Sequence, residues 1–373
     1  MKKTAALLCI LFVMIPFFAF AHSDIFTLTD EQGNFLTRYC GECESGDEYI
    51  SRDNLHYRII SVDNAKKTAV ARLLGEAEMP DVSWLDLDQK SQAVSAIGEK
   101  KIALYCTHSD ESYIEGDGTE SVEGSGGIYD IANAFGQELE KLGVTLEISD
   151  ATHLPHDAGA YRRSRQTAVE LLKTQPNAIF DIHRDGIPDP DEYATTVGNE
   201  KMSMVRLLVG KSNQNKDANL SFAKQIKAVA DKTYPGLIKD IYMGKGSYNQ
   251  DLAPRSVLLE FGTHTLPKDL VLKAVTPMSE VVYKALFGGV IGSAGTSDVS
   301  SRKQSSEEPN PSTPAVSDQT GSGWIIWLII GLVAGLGVFA FLSTGGKGGL
   351  RKWGRSFSEM TGGLFGKKPR NDE

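Results

Sequence analysis

Apolar positions along the chain repeat with two different periods. Between residues 23 and 77 they alternate with polar ones in short runs at 25–29, 34–37, 57–62 and 68–73, separated by turn formers at 31–34, 44–47 and 62–64. A period of two with such punctuation predicts a small antiparallel β module. After a polar connector over 78–100 the pattern changes. Apolar runs at 102–105, 144–148, 178–182, 204–209 and 257–261 alternate with helical stripes over 128–142, 161–173, 219–233 and 267–286. The first stripe places Ile128, Ile131, Ala132, Phe135, Leu139 and Leu142 on one face and stops at Gly143. Alternation of this kind predicts an α/β domain over 100–288, a mostly parallel sheet with helices on both faces.

The two ends depart from this pattern. Lys2 and Lys3, the greasy run 5–18 and the small residues around Ala21 have the three parts of a secretory signal peptide over 1–21. Residues 293–322 are rich in Ser, Thr, Pro, Gly and Glu, bury too little to offset the cost of ordering, and read as a disordered linker. The unbroken apolar run 324–342 is long enough to cross a bilayer as a single transmembrane helix. Trp324 and Trp327 suit its outer interface, and the basic tail 343–373, with Lys347, Arg351, Lys352 and Arg355, suits the cytoplasm. The expectation is therefore a single-pass protein of the cell membrane whose central domain faces outward.

The net charge is −9, and both terminal segments are themselves positive, so the central region is strongly acidic. Such a domain repels a phosphate backbone, which excludes nucleic-acid binding. Cysteine is sparse. Cys40-Gly-Glu-Cys43 reads as a disulfide or two inert thiols rather than half a metal site, because no second pair exists to complete a zinc ribbon.

Three apolar runs each deliver polar groups at their carboxyl ends, where open α/β sheets place ligand sites. Residues 102–105 lead to His108-Ser-Asp-Glu111, residues 178–180 lead to Asp181-Ile-His183-Arg184-Asp185, and residues 256–259 lead to Glu260. Two imidazoles and a carboxylate form a ligand set for zinc that leaves one position for water. Glu120 and Glu123 compete with Glu111 for the acidic position, and the short His-x-x-Glu spacing favours Glu111. Glu260 is then the spare carboxylate that a zinc hydrolase needs as general base; a structural salt bridge is the plainer role. Asp181 or Asp185 suits the second nitrogen of a ligand histidine, while His153 and His156 suit the rim. Arg184, or an arginine of the 161–165 segment such as Arg165, is placed to grip a substrate carboxylate. The polar run 244–252, with Tyr248 and Asn249, suits a substrate wall.

Five segments taken together carry a resemblance. Cys106-Thr-His108-x-x-Glu111-Ser-Tyr113, Tyr161-x-x-Ser164-Arg165, Asp181-Ile-His183-Arg184-Asp185, Tyr248-Asn249-Gln-Asp-Leu252 and Leu259-Glu260-Phe-Gly262 occur in the order found in the stage II sporulation protein P family. Residues 100–288 resemble that family, which is similar in fold to zinc-dependent N-acetylmuramoyl-L-alanine amidases. The resemblance implies peptidoglycan as substrate, with removal of stem peptides and cutting of peptide cross-links during engulfment, and a membrane-bound lytic transglycosylase of the stage II sporulation protein D type as partner. Many members have His-Thr-His where this chain has Cys106-Thr-His108, and members usually carry an N-terminal membrane anchor. A wall-binding protein that keeps the fold without catalysis is the alternative from another class.

Overall fold

The structure, a computed structural model, describes residues 25–86, 98–157 and 159–288. The expected signal peptide, linker, transmembrane segment 324–342 and basic tail lie outside the described residues. Among the described residues no helix is long and apolar enough to cross a membrane.

The first five strands are β1 (Ile25–Asp30), β2 (Phe35–Cys40), β3 (Glu48–Ile50), β4 (Leu55–Asp63) and β5 (Thr68–Glu76). The α/β part follows as β6 (Lys101–Tyr105), the short turn α1 (Ile114–Asp117), α2 (Ile128–Lys141), β7 (Thr145–Ile148), α3 (Ala160–Leu172) and β8 (Ala178–Asp185). A hairpin of β9 (Ala194–Val197) and β10 (Glu200–Ser203) precedes β11 (Val205–Gly210), α4 (Lys216–Thr233), β12 (Ile238–Gly244), β13 (Ser256–Thr263) and α5 (Lys268–Phe287).

The expectation of a mostly parallel sheet with a separate antiparallel module is corrected. One 11-stranded sheet runs in the order β2-β1-β5-β4-β3-β12-β11-β13-β8-β6-β7, and five of its ten pairings are antiparallel. Direction follows from the connections. Strands joined by a crossover helix come back parallel, as β11 and β12 do through α4. By contrast β8 reaches β11 through the β9–β10 hairpin, and β12 reaches β13 through a loop, so β11 lies antiparallel to β13. The N-terminal strands join the same sheet where β3 pairs antiparallel with β12, and β1 pairs parallel with β5.

Helices α2, α4 and α5 cover one sheet face, because their buried stripes meet the alternate apolar positions Phe180, Ile182, Leu207, Leu259 and Phe261. Helix α2 ends at Gly143, whose φ of +83° is the left-handed conformation that closes a helix. The other face is covered in two pieces. Helix α3 packs on Ala103, Tyr105 and Ile179. The N-terminal strands pack on Leu208, Tyr242 and Leu258, which requires the sheet to curl until its edge strand β2 lies over β11 and β12. Tyr39 of β2 stacks on Tyr242 of β12 with ring centroids 3.8 Å apart. Between α3 and the curled strands, this face carries its polar residues.

No disulfide joins Cys40 and Cys43. No cysteine among the described residues is in a disulfide, and the buried Cys43 accepts a hydrogen bond from the Tyr242 hydroxyl at 3.7 Å.

Candidate active site

Strand β8 extends through Asp185, so His183 lies within a strand and not in a loop beyond it; Glu260 likewise sits inside β13. The strand continues because Asp185 pairs in register with Thr263. Period-two alternation then puts Asp181, His183 and Asp185 on the face opposite Ile182. Register does the rest: Glu260 lies beside His183 on the neighbouring strand, and Arg206 beside Glu260 on the next.

His108 and Glu111 arrive from the loop after β6. That loop is held by backbone contacts, with Gly126 N donating to Ser109 O at 3.0 Å and Ile128 N to Glu111 O at 3.0 Å. A Cβ on Gly126 would collide with the Asp110–Glu111 backbone, so only glycine fits this close approach. Arg184 fastens the same loop to β8. Its backbone N donates to Glu111 Oε2 at 3.0 Å, and its guanidinium donates to Ser112 O and Glu120 O at 3.3 and 3.0 Å.

The three expected ligands meet. His108 Nδ1 is 3.2 Å from Glu111 Oε1, and His183 Nδ1 is 3.4 Å from the same oxygen. Ligand atoms of all three lie within 4.8 Å of one another, a group that could hold a metal ion. Ligands at zinc distances of 2.0–2.1 Å in a tetrahedron are separated by about 3.3 Å, so the two short contacts are the edges such an ion needs. Glu120 and Glu123 are exposed; the Glu120 carboxylate is 3.6 Å from His264 Nε2.

Asp181 supports His183 from behind. Its carboxylate accepts from Thr107 N at 2.8 Å and Thr107 Oγ1 at 2.6 Å. Oδ1 lies 3.0 Å from His183 Nε2, an ion-pair distance whose angle falls short of a hydrogen bond. Asp185 is committed elsewhere: Tyr193 Oη donates to it at 2.6 Å and Arg206 Nη1 at 2.9 Å.

Burial pushes His183 toward the neutral form, yet the Asp181 and Glu111 carboxylates outweigh it and hold the imidazole well above its ordinary pKa. Burial also opposes charge on Glu111, and His183, His108 and Arg184 overcome it. His108 stays below its ordinary value because burial exceeds the attraction of Glu111. Glu260 is the opposite case. Burial first, then Asp185 and Glu111, push its carboxyl up to about 8, although His183 and Arg206 pull the other way. Its Oε2 is buried without a hydrogen-bond partner.

The rim is aromatic. His156 stacks on His108 with centroids 3.9 Å apart, and its Nδ1 lies 3.0 Å from Asp110 Oδ1. Tyr161 meets His108 edge-on at 5.5 Å and Tyr248 at 5.3 Å. Arg165 forms a two-pronged pair with Asp251 at 2.8 and 2.6 Å. Asn249, which is buried, donates to Tyr161 O and Ser164 Oγ at 3.0 Å each.

Sequence reasoning passed over Arg206, which is buried in β11 and donates to Asp185, Asp240, Thr37 Oγ1 and Arg38 O. The available signal was a lone charge inside an otherwise apolar strand, a cost that demands partners. His156 was legible only as a rim residue, since its stack on His108 joins loops far apart in the chain.

A family model described as stage II sporulation protein P matches residues 49–283. A curated relative, stage II sporulation protein P of Bacillus subtilis (strain 168), is 32% identical over 198 residues, which are 48% of this chain and 49% of that protein; the chain thus spans about half the length of the curated relative it matches. Among solved structures, Ami1 of Mycobacterium abscessus, an N-acetylmuramyl-L-alanine amidase, aligns with 52% of this chain and 99% of its own at 14% identity and a TM-score of 0.34. The amidase AmiC2 of Nostoc punctiforme aligns with 51% of this chain and 97% of its own at 13% identity and a TM-score of 0.33. CwlD of Clostridioides difficile, an amidase solved in complex with the GerS lipoprotein, aligns with 51% and 96% at 20% identity and a TM-score of 0.30. The family match extends over well more than half of the chain and takes in both the His108–Glu111 loop and the strands that carry His183 and Glu260, so the chain belongs to the stage II sporulation protein P family.

Proposed function

We propose that this chain is a zinc-dependent peptidoglycan amide hydrolase acting in sporulation, an N-acetylmuramoyl-L-alanine amidase that also cuts peptide cross-links. The observation that carries the reading is the convergence of His108 Nδ1, His183 Nδ1 and Glu111 Oε1 at separations of 3.2 and 3.4 Å, beside a carboxylate with an unpartnered buried oxygen. These three residues would hold the zinc, which when bound acidifies water and polarises an amide carbonyl. Asp181 orients the His183 ring through its far nitrogen, and Thr107 fixes Asp181.

Glu260 takes a proton from the attacking water and returns it to the leaving amine. A bound cation would draw the Glu260 carboxyl down from its raised value in the metal-free site and favour the ionised form that accepts the proton. Tyr248 faces the substrate, while Arg165, Arg184 and Asn249 hold the loops around it. The reading places the site on the outer side of the cell membrane, where peptidoglycan lies, with a lytic transglycosylase of the stage II sporulation protein D type as working partner. Incubating the chain with purified peptidoglycan and zinc, and identifying released fragments by mass, tests it. Newly freed peptide termini are expected with the native chain and not with Glu260→Gln, which still binds zinc. Intact glycan-linked stem peptides after full incubation would remove the hydrolase reading.

A further inference from the structure

Tyr248 is strained, and what restrains it comes from the other end of the sequence. Tyr248 and Asn249 have φ of +50° and +56°, a region that disfavours side chains. Two consecutive residues stay there because their side chains are pinned. Asn249 is held by Tyr161 O and Ser164 Oγ. The Tyr248 ring is held by close walls and by one polar contact at its tip. A Cβ on Gly246 would strike the ring itself, and one on Gly244 would sit 3.1 Å from Tyr248 Oη and 3.4 Å from Tyr39 Oη. Inside that space the hydroxyls of Tyr248 and Tyr39 lie 3.3 Å apart, with either as donor.

Tyr39 is itself anchored. It is buried, stacked on Tyr242, and follows Thr37 and Arg38 in strand β2, both of which accept from the buried guanidinium of Arg206. Strand β2 therefore grips the catalytic sheet face at two points one residue apart. From Tyr248 the contact continues to Tyr161 at 5.3 Å, and from Tyr161 to His108 and His183 at 5.5 and 6.3 Å.

We propose that Tyr39, a residue of the N-terminal strands, is a positioning residue of the active site: its hydroxyl fixes the Tyr248 ring as a wall against which substrate is held. The N-terminal strands are on this account part of the catalytic unit and no mere spacer. The proposal rests on the hydrolase reading for its substrate, but the positioning itself does not.

Two measurements on the full chain test it. Tyr39→Phe removes the hydroxyl and keeps the stack on Tyr242, so zinc stoichiometry and folding are retained. On a soluble muropeptide its KM rises roughly 3–10-fold, the factor one net hydrogen bond provides, with a smaller change in kcat. Tyr248→Phe shows the same split, and the double variant is no worse than the poorer single one. Hydrogen exchange supplies the second measurement, because amides of residues 244–252 exchange faster in Tyr39→Phe whether or not the chain cleaves anything. A native chain that releases nothing overturns the hydrolase reading alone. Unchanged exchange over 244–252, or an active native chain with Tyr39→Phe at the same KM, overturns the positioning role.

Discussion

Replacing Glu260 by glutamine should make the metal-free protein more stable while removing its activity. The carboxyl sits at about 8 in the folded chain, against 4.5 for an unperturbed glutamate. A raised carboxyl costs stability: folding is unpenalised while the group is protonated in both states, below 4.5. The cost grows as pH rises from 4.5 to 8, because the unfolded chain ionises and the folded one does not. At about 1.4 kcal/mol per pKa unit, it is about 1 kcal/mol at pH 5, about 3 at pH 7 and about 4 at pH 8. Glutamine has nearly the same shape and cannot ionise, so Glu260→Gln recovers these amounts as a ceiling. Urea unfolding of residues 25–288 in the presence of a chelator measures it: with an m-value of about 3 kcal/mol/M, the midpoint of the variant shifts up by about 1 M at pH 7. Added zinc should narrow the gap, since a cation next to Glu260 stabilises its ionised form. A midpoint difference that is the same at pH 5 and pH 8, or a variant less stable than the native chain, would show that Glu260 is not held out of its ordinary ionisation.

Five other substitutions follow from the same geometry. His108→Ala, Glu111→Ala and His183→Ala should each lose stoichiometric zinc after dialysis, read by elemental analysis, and retention in all three would mean the ion binds elsewhere. Gly126→Ala leaves every proposed ligand side chain in place, yet its methyl group displaces the Asp110–Glu111 backbone; zinc affinity should fall at least tenfold by competition with a chelating dye, and native affinity would show that the loop can yield. Arg206→Met leaves the buried Asp185 and Asp240 without their cation, which should cost about 3–5 kcal/mol in chemical unfolding. A loss below about 1 kcal/mol would mean that the two carboxylates find other partners or protons.

What could be read in the sequence, and what could not, divides along physical lines. His108, Glu111, His183 and Glu260 stood out because each is a polar group next to an apolar run, where a charge must be paired or used, and the structure brings the first three together. Helix α2 was legible because Ile128, Ile131, Ala132, Phe135 and Leu139 recur at the helical period. Strand direction was not legible. Hydrophobic alternation marks where a strand is, while direction depends on whether a helix or a hairpin joins it to the next; the hairpin 194–203 carries the weak, half-polar pattern of exposed strands. Strand β12 was missed for a related reason: Lys239 and Asp240 interrupt its apolar run, and both are buried there only because Glu192 and Arg206 meet them.

The curl of the sheet was the deepest omission, and it bears on the site. Local pattern identified the N-terminal strands but said nothing about the face they would cover. Had they ended as a flat edge, Arg206, Asp185 and Asp240 would meet water in place of the Thr37 and Arg38 oxygens, and the solvent would screen the charges that act on Glu260. Asp185 is the largest charged influence on Glu260 after burial itself. The environment of the Glu260 carboxylate is therefore set in part by strand β2, some 220 residues earlier in the chain, and truncating the first strands should alter the candidate site before it alters the fold of the α/β part.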